Sequence, residues 1–240
     1  MTYIDAYLLA VAKDKVDAYR DLARRSAPLW EEFGAIGYLE CLADDAPYGE
    51  LTSFPRAVMA RDDETVVLSW IMYPSREARD TGSKAAMSDP RMAEMMQTMP
   101  VDGKRMIFGG FAPIVEHQLG AEGVGYVDGF VTSAPRSRLH EYKDLANLGA
   151  QVWTDHGALS YVECMADDVP YGELTSFPRA VQAGPDDVVF FSWATYRDRE
   201  TRDAVGRKVM ADPRLSGDMD KMPFNAKTMI YGGFVPIVLG

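Results

Sequence analysis

The sequence predicts an α+β fold of two ferredoxin-like βαββαβ repeats packed sheet to sheet, and three observations carry that prediction. First, the chain matches itself without a gap at an offset of 123: Tyr3–Glu116 falls on Tyr126–Leu239, with 54 of 114 positions identical. Self-similarity at this level marks a tandem duplication. Second, the apolar periodicity of each copy runs strand, helix, strand, strand, helix, strand. That is the order of a four-stranded antiparallel sheet with two helices on one face. Third, such a sheet leaves its other face bare, and the duplication places an identical unit in the same chain to cover it. The expected result is an internal pseudo-dimer about an approximate two-fold axis. Residues 1–116 and 126–240 form the repeats. Residues 117–125, with three glycines and no apolar period, form the linker. With each sheet covered internally, the chain is expected to be a monomer or a weak homodimer.

The first strand is Tyr3–Val11, apolar and β-prone, matched by Tyr126–Ser133. Asp14 and Ser137 align ahead of the first helix as N-caps, since both side chains can accept from free helix amides. Val16, Tyr19, Leu22, Ala23, Ala27, Trp30 and Phe33 recur at helical spacing, as do Leu139, Tyr142, Leu145, Ala146, Ala150, Trp153 and His156. Pro28 should interrupt this helix in the first copy; Gln151 replaces it in the second. Gly34 and Gly157 stand where a left-handed C-terminal cap is needed. The second strand is Gly37–Ala43, and Ser160–Ala166 in the copy. The block Ala43–Val58 recurs as Ala166–Val181 with one difference, Ala46 against Val169. Its Pro-Tyr-Gly-Glu-Leu-Thr-Ser-Phe-Pro centre reads as a long turn or a hairpin. Strand three is Thr65–Tyr73 and Val188–Tyr196. Ser75 and Asp198 cap the second helix, which runs to about Ser88 and Ala211. It ends at Asp89-Pro90-Arg91 and Asp212-Pro213-Arg214. Strand four is Arg105–Val115 and Thr228–Val238.

Composition excludes several classes. A chain 47% hydrophobic and 25% charged is an ordinary globular protein, not a disordered tail, a collagen or a disulfide scaffold. A net charge of −11, with no Lys/Arg run longer than Arg24-Arg25, argues against nucleic acid and anionic membrane surfaces as partners. The longest apolar runs have about half the length that spans a bilayer. No basic region precedes the first apolar run, so no signal peptide is read. The two cysteines, Cys41 and Cys164, fit free thiols in a reducing cytoplasm.

Chemistry-bearing residues are sparse. His156 lies three residues after Trp153 at a helix C-terminus, where the dipole favours its charged form. It reads as a proton donor or acceptor in a pocket between helix and sheet, or as a cap on the last carbonyls. Asp5/Asp128 and Glu40/Glu163 are acids within apolar strands, costly to bury unpaired. They read as general bases, as ion-pair partners of Arg56/Arg179 or Lys104/Lys227, or as residues exposed on an outer strand. The catalytic candidates are His156, Asp128 and Glu163, in the copy that holds the histidine. Cys41 and Cys164 alternate to the other sheet face and read as buried structural thiols. Trp30/Trp153, Trp70/Trp193, Tyr73/Tyr196 and Phe54/Phe177 are shared aromatics that either pack a core or line an aromatic-ligand cavity, with Arg56 and Arg179 as its polar contacts. Met92, Met95, Met96 and Met99 form a cluster that the second copy thins to Met219 and Met222, which reads as adaptable packing. No His/Cys pair has metal-ligand spacing, and no phosphate loop, nucleophile elbow or dinucleotide fingerprint is present. Neither metal nor cofactor is expected.

Tyr-Ile-Asp near the start, Gly-Tyr-Leu-Glu-Cys, Ala-Asp-Asp, Thr-Ser-Phe-Pro-Arg-Ala-Val, Asp-Pro-Arg-Met and Gly-Gly-Phe-Ala-Pro-Ile-Val make the chain resemble the YbaA-like bacterial proteins, a domain of unknown function held here as two tandem copies. The resemblance implies the dimeric α/β barrel superfamily, closed here within one chain. Members elsewhere include cofactor-free monooxygenases, haem-degrading enzymes, lactone isomerases and small stress proteins. For the family itself the resemblance implies no activity, so it supplies fold and not function. It also implies a histidine before the Gly-Ala that ends helix one. His156 keeps it and Phe33 does not, so the two halves are expected to be functionally unequal. The functional reading is a pocket for an unidentified small molecule between helices and sheet, in a cofactor-free monooxygenase or isomerase. The alternative is a non-catalytic ligand-binding or stress-associated protein.

Overall fold

A computed structural model describes residues 2–118, 122–216 and 221–240. The first repeat builds β1 (Tyr3–Ala12), α1 (Val16–Glu32), β2 (Gly37–Asp45), the short α2 (Phe54–Ala57), β3 (Glu64–Tyr73), α3 (Arg76–Ser88), α4 (Pro90–Thr98) and β4 (Ile107–His117). The second builds β5 (Tyr126–Pro135), α5 (Leu139–Asp155), β6 (Ser160–Asp168), α6 (Phe177–Ala180), β7 (Asp187–Tyr196), α7 (Arg199–Met210) and β8 (Ile230–Leu239). Where α4 stands in the first repeat, the second has a 3-10 turn, Pro213–Leu215. Residues 119–121 of the expected linker, and Met219 of the thinned methionine cluster, lie outside the described residues.

All strand pairs are antiparallel, and the strands close into one barrel in the order β1-β3-β2-β8-β5-β7-β6-β4. Each repeat contributes four neighbours, and two seams join them. At one seam Cys41 faces Pro236 and Ala43 faces Phe234. At the other Cys164 faces Pro113 and Ala166 faces Phe111. Each pairing is the other moved by 123, and the register shifts fall at the same repeat positions. A patch that meets its own counterpart reciprocally is a two-fold interface, so the strand register alone establishes the pseudo-symmetry.

Alternation along the strands sorts the side chains. Ile4, Ala6, Leu8, Cys41, Leu68 and Trp70 point into the barrel and meet Val127, Val131, Cys164, Phe191 and Trp193 of the second repeat. The two bare sheet faces cover each other there. The alternate residues meet the helices: Leu9, Val67 and Ile71 pack with Tyr19 and Ala23 of α1. Phe190 and Ala194 pack with Tyr142, Ala146 and Ala150 of α5. Each fully buried Leu, Val or Phe is worth about 1.5–3 kcal/mol over its exposed state, so the repeats are bound mainly by this shared interior.

Gly34 (φ +93°) and Gly157 (φ +115°) end α1 and α5 in the left-handed region. The Ala35 amide reaches the Trp30 carbonyl at 2.9 Å and the Ala158 amide reaches that of Trp153 at 3.0 Å, as a Schellman cap requires. Ser75 and Asp198 accept from the amides of Ala78 and Thr201, capping α3 and α7. Three local expectations are corrected. Asp14 and Ser137 do not cap a helix: they lie in 3-10 turns, Lys13–Lys15 and Arg136–Arg138, that lead into α1 and α5. Such a turn supplies i→i+3 bonds where a side-chain cap would otherwise serve. Pro28 does not interrupt α1, which runs on to Glu32, with Ser26 and Leu29 buried on either side of it. Packing holds the helix across the one amide that proline lacks.

The near-identical block is not a hairpin either. After a loop it drops into α2 and α6, single turns opened by Ser53 and Ser176, whose hydroxyls accept from the amides of Arg56 and Arg179 at 3.2 Å. These turns insert fully buried Phe54 and Phe177 into one end of the barrel. Phe54 meets Phe234 edge-on at 5.0 Å, and Phe177 meets Phe111 at 5.1 Å. α2 and α6 touch each other, so this end is plugged across the pseudo-two-fold.

Candidate functional site

The opposite end of the barrel is open. There the C-terminal halves of β3 and β7 bring Trp70 and Trp193 together, ring centroids 4.5 Å apart and planes 25° from parallel. The two residues are one repeat position, so the stack lies across the pseudo-two-fold. It floors a cleft of about 410 Å³ walled by Leu39, Met72, Val124 and Leu239, with Tyr38, Ser160, Thr195 and Glu122 as polar members. The Ser160 and Thr195 hydroxyls bond each other at 2.6 Å.

The other predicted aromatics do not share this cavity. Trp30, Trp153, Tyr73 and Tyr196 lie across the sheet, in the layer beneath the helices. The reason is strand parity: Tyr73 and Tyr196 are an odd number of residues from Trp70 and Trp193. Arg56 and Arg179 are exposed at the plugged end. Each Nε donates to its own loop, to the Gly49 and Gly172 carbonyls at 2.7 Å. They lie over the Tyr48 and Tyr171 rings at 5.5 and 4.6 Å.

Glu40 and Glu163 face the helices, one per repeat. The Tyr19 and Tyr38 hydroxyls donate to Glu40 at 2.7 and 2.6 Å. Tyr142 and Tyr161 donate to Glu163 at 2.5 and 3.0 Å. Ser69 and Ser192 add a third hydroxyl to each. Burial pushes both carboxyl pKa values up to about 7, against the opposing pull of those donors. Neither Arg56/Arg179 nor Lys104/Lys227 serves them: hydroxyls, not cations, satisfy these acids. The tyrosines recur at the same offset on otherwise apolar faces, which is the signal that could have exposed them in the sequence.

Asp5 and Asp128 do have cations, but from the second helix of each repeat. Arg79 Nε lies 3.1 Å from Asp5, and Arg202 Nε 2.7 Å from Asp128. The same arginines cross the seams, Arg79 to Asp168 at 2.8 Å and Arg202 to Asp45 at 2.9 Å. Arg76 pairs with Asp167, and Arg199 with Asp44 at 2.7 Å. The Tyr3 and Tyr126 hydroxyls donate to Asp167 and Asp44 at 2.9 Å. Burial lifts Asp5 to about 6 against the attraction of Arg79, and raises Asp128 in the same way. The Ala-Asp-Asp motif is thus a clasp between repeats. The Gly-Gly-Phe motif makes room for it, because a Cβ at Gly110 or Gly233 would collide with Tyr3 or Tyr126.

His156 sits apart from both acids. Its Nε2 lies 2.7 Å from Asp212 Oδ2. Arg214 holds the same carboxylate and also reaches Asp155. In the first repeat Arg91 bridges Asp89 and Glu32 in the same manner, with Phe33 where the histidine stands. His156, Asp128 and Glu163 therefore belong to three separate networks. The His156 network ties the Asp-Pro-Arg turn to the end of α5. His156→Phe, which copies the first repeat, is expected to lower the melting temperature by about 2–4 °C, the worth of one hydrogen bond in a chain of this size. Thermal unfolding followed by circular dichroism checks it; a loss of ligand affinity at unchanged stability would instead return His156 to a binding site.

Two four-stranded sheets closed into one barrel, with helices outside, define the dimeric α/β barrel class realised in a single chain. The chain belongs to the family described as "Protein of unknown function (DUF1428)", whose model matches residues 2–103 and again residues 125–226. The "Uncharacterized protein YbaA" of Escherichia coli K12 is 53% identical over 116 residues, 48% of this chain and 99% of its own length. That of Shigella flexneri matches to the same extent. Such a relative is the size of one repeat. Two solved structures named "putative monooxygenase" share the fold. The one from Fusobacterium nucleatum has a TM-score of 0.61 at 10% identity, over 99% of this chain and 93% of its own. The one from Lactobacillus acidophilus has 0.60 at 9% identity, over 100% and 95%. An "anthrone oxidase-like protein" gives 0.52 at 9% identity, over 100% and 92%. No helix among the described residues is long and apolar enough to cross a membrane.

Proposed function

We propose that the chain binds a small, largely apolar molecule in the cleft at the open end of the barrel. The observation that carries this reading is the Trp70–Trp193 stack at the base of an apolar-walled cleft. Its volume of about 410 Å³ falls within the roughly 300–1,000 Å³ typical of ligand sites. The two indoles are 3% and 2% exposed, so they give the cleft an apolar base and its walls make most of the contact. Among the described residues the lining holds no Lys, Arg or His, which disfavours anions. This is the non-catalytic, ligand-binding reading, with its site on the barrel axis and not in the helix layer. The two free cysteines support a reducing, cytoplasmic setting.

A second reading has its own observation. Glu40 and Glu163 titrate near neutrality beside paired tyrosine hydroxyls, which suits acid–base chemistry of the monooxygenase or isomerase type. It requires substrate to enter the helix layer, where Tyr142 now stacks on Phe190 at 3.8 Å. Stoichiometry separates the two readings. Calorimetric titration with 1-naphthol and with anthrone should show one site per chain for the axial cleft. Met72→Lys should abolish that binding with the melting temperature kept. Two sites per chain, indifferent to Met72→Lys and lost in Glu40→Gln with Glu163→Gln, would transfer function to the helix layer.

A further inference from the structure

The best-kept stretch of the duplication is not confined to the core. Fifteen of the sixteen positions from Ala43 to Val58 recur in Ala166–Val181, against 54 of 114 over the whole repeat. Packing accounts for Phe54, Ala57 and Val58, which line the barrel interior. The clasp accounts for Asp44 and Asp45. Neither accounts for Tyr48 and Leu51, which are 57% and 58% exposed, or for Tyr171 and Leu174, at 65% and 50%. Unconstrained surface drifts after a duplication, as it did just beyond this block, where Arg61 and Asp62 correspond to Gly184 and Pro185.

The exposed tyrosines are also held in place. The Tyr48 hydroxyl donates to the Ala60 carbonyl at 2.7 Å. Arg56 and Arg179 lie over the Tyr48 and Tyr171 rings while fastened to their own loops. Groups fixed before docking lose little freedom on docking, and Tyr and Arg are enriched where interfaces gain most of their energy. Because α2 and α6 touch across the axis, both loops flank one barrel end and form a single face with two-fold pseudo-symmetry.

We propose that this plugged end is a docking face for a second copy of the chain, centred on Tyr48, Leu51 and Arg56 and their counterparts Tyr171, Leu174 and Arg179. Charge selects this occupant. The chain carries −11 overall, so two copies repel over most of their surfaces. Beyond the aspartates of the clasp the block carries one exposed acid and one exposed base per repeat, Glu50 and Arg56 in the first and Glu173 and Arg179 in the second. Turned about a two-fold axis, such a face presents arginine to glutamate and complements itself. The Trp70–Trp193 cleft lies at the far end and stays open, so docking is independent of ligand binding there.

Light scattering on the full chain, across a concentration series, reads the proposal directly. The wild type should pass from one 26.6 kDa chain to two as concentration rises. Leu51→Asp with Leu174→Asp should weaken association about 100-fold, a typical effect for two interface anchors, with the melting temperature unchanged. Met87→Asp with Met210→Asp, at exposed methionines on α3 and α7, should leave it unaltered. If the Leu51 and Leu174 variant also loses stability, Glu50→Arg with Glu173→Arg decides: it sets like charges opposite one another and must weaken association. A wild type that stays a single chain up to about 1 mM overturns the proposal. So does association that survives the variants of the face, or that fails only in the Met87 and Met210 variant.

Discussion

Arg79→Ala is expected to destabilise the fold by about 3–5 kcal/mol, the usual cost of stranding one partner of a buried ion pair. Arg79 is enclosed, with its side chain 12% exposed against 11% for Asp5. It holds Asp5, Asp80 and Asp168 together and lies over the Tyr3 ring at 4.9 Å. Removing it leaves a desolvated carboxylate in β1 beside a second one from the opposite repeat, and loosens a seam. The cost should depend on pH, because Asp5 already titrates near 6 with its arginine present. Without that cation the pKa rises further, and the acid can escape its charge by binding a proton. The loss should therefore be smaller at pH 5 than at pH 8. Asp5→Asn in the same background should recover part of it at pH 8. Arg202→Ala should repeat the result at the other seam through Asp128 and Asp45. Arg76→Ala, at a solvated position, should do little. Urea denaturation at the two pH values checks the set; an equal loss at both would mean that Arg79 acts through packing alone.

The contrast between what the sequence discloses and what it conceals follows the range of each interaction. Strand parity, the Gly34 and Gly157 caps and the Ser75 and Asp198 caps are local, and they are legible in both copies. The pseudo-symmetry is legible because the duplication states it outright. The partner of Asp5 is not, since Arg79 stands 74 residues away and its other partner, Asp168, comes within reach only once the barrel closes. Its signal was present, however: Asp5, Arg76, Arg79 and Asp45 all recur 123 residues on. Glu40 was legible as an anomaly but not as a network, because Tyr19 reads as part of an apolar helix stripe until its hydroxyl is seen to meet the acid. Divergence between copies singles out His156 without disclosing its partners: Asp212 and Arg214 engage the histidine, and the first repeat forms the equivalent clamp without one.

Stability is expected to fall as pH rises from about 4.5 to about 7, by on the order of 3 kcal/mol for each of Glu40 and Glu163. The sign follows from proton binding. In the unfolded chain a glutamate titrates near its ordinary value of 4.5, whereas in the folded chain burial holds both acids near 7. Between those limits the folded state binds more protons, so each step up in pH favours unfolding. Below about 4.5 the contribution is fully present, and above about 7 it is lost. Asp5 and Asp128, both raised, add to the same slope at lower pH. Glu64 opposes it only in more acidic solution, since Arg105 at 2.7 Å holds it down to about 2. Glu40→Gln with Glu163→Gln removes both titrations. It keeps a carboxamide that can accept from the tyrosines and donate back to them, as the protonated acid does. The variant should match the wild type near pH 4.5, exceed it above pH 7 and show a flatter profile between. Urea denaturation from pH 4 to 8 measures this directly. A variant that follows the wild-type slope in parallel would show that the two carboxyls ionise in the folded chain as freely as in the unfolded one, and that the tyrosine hydroxyls stabilise their charge.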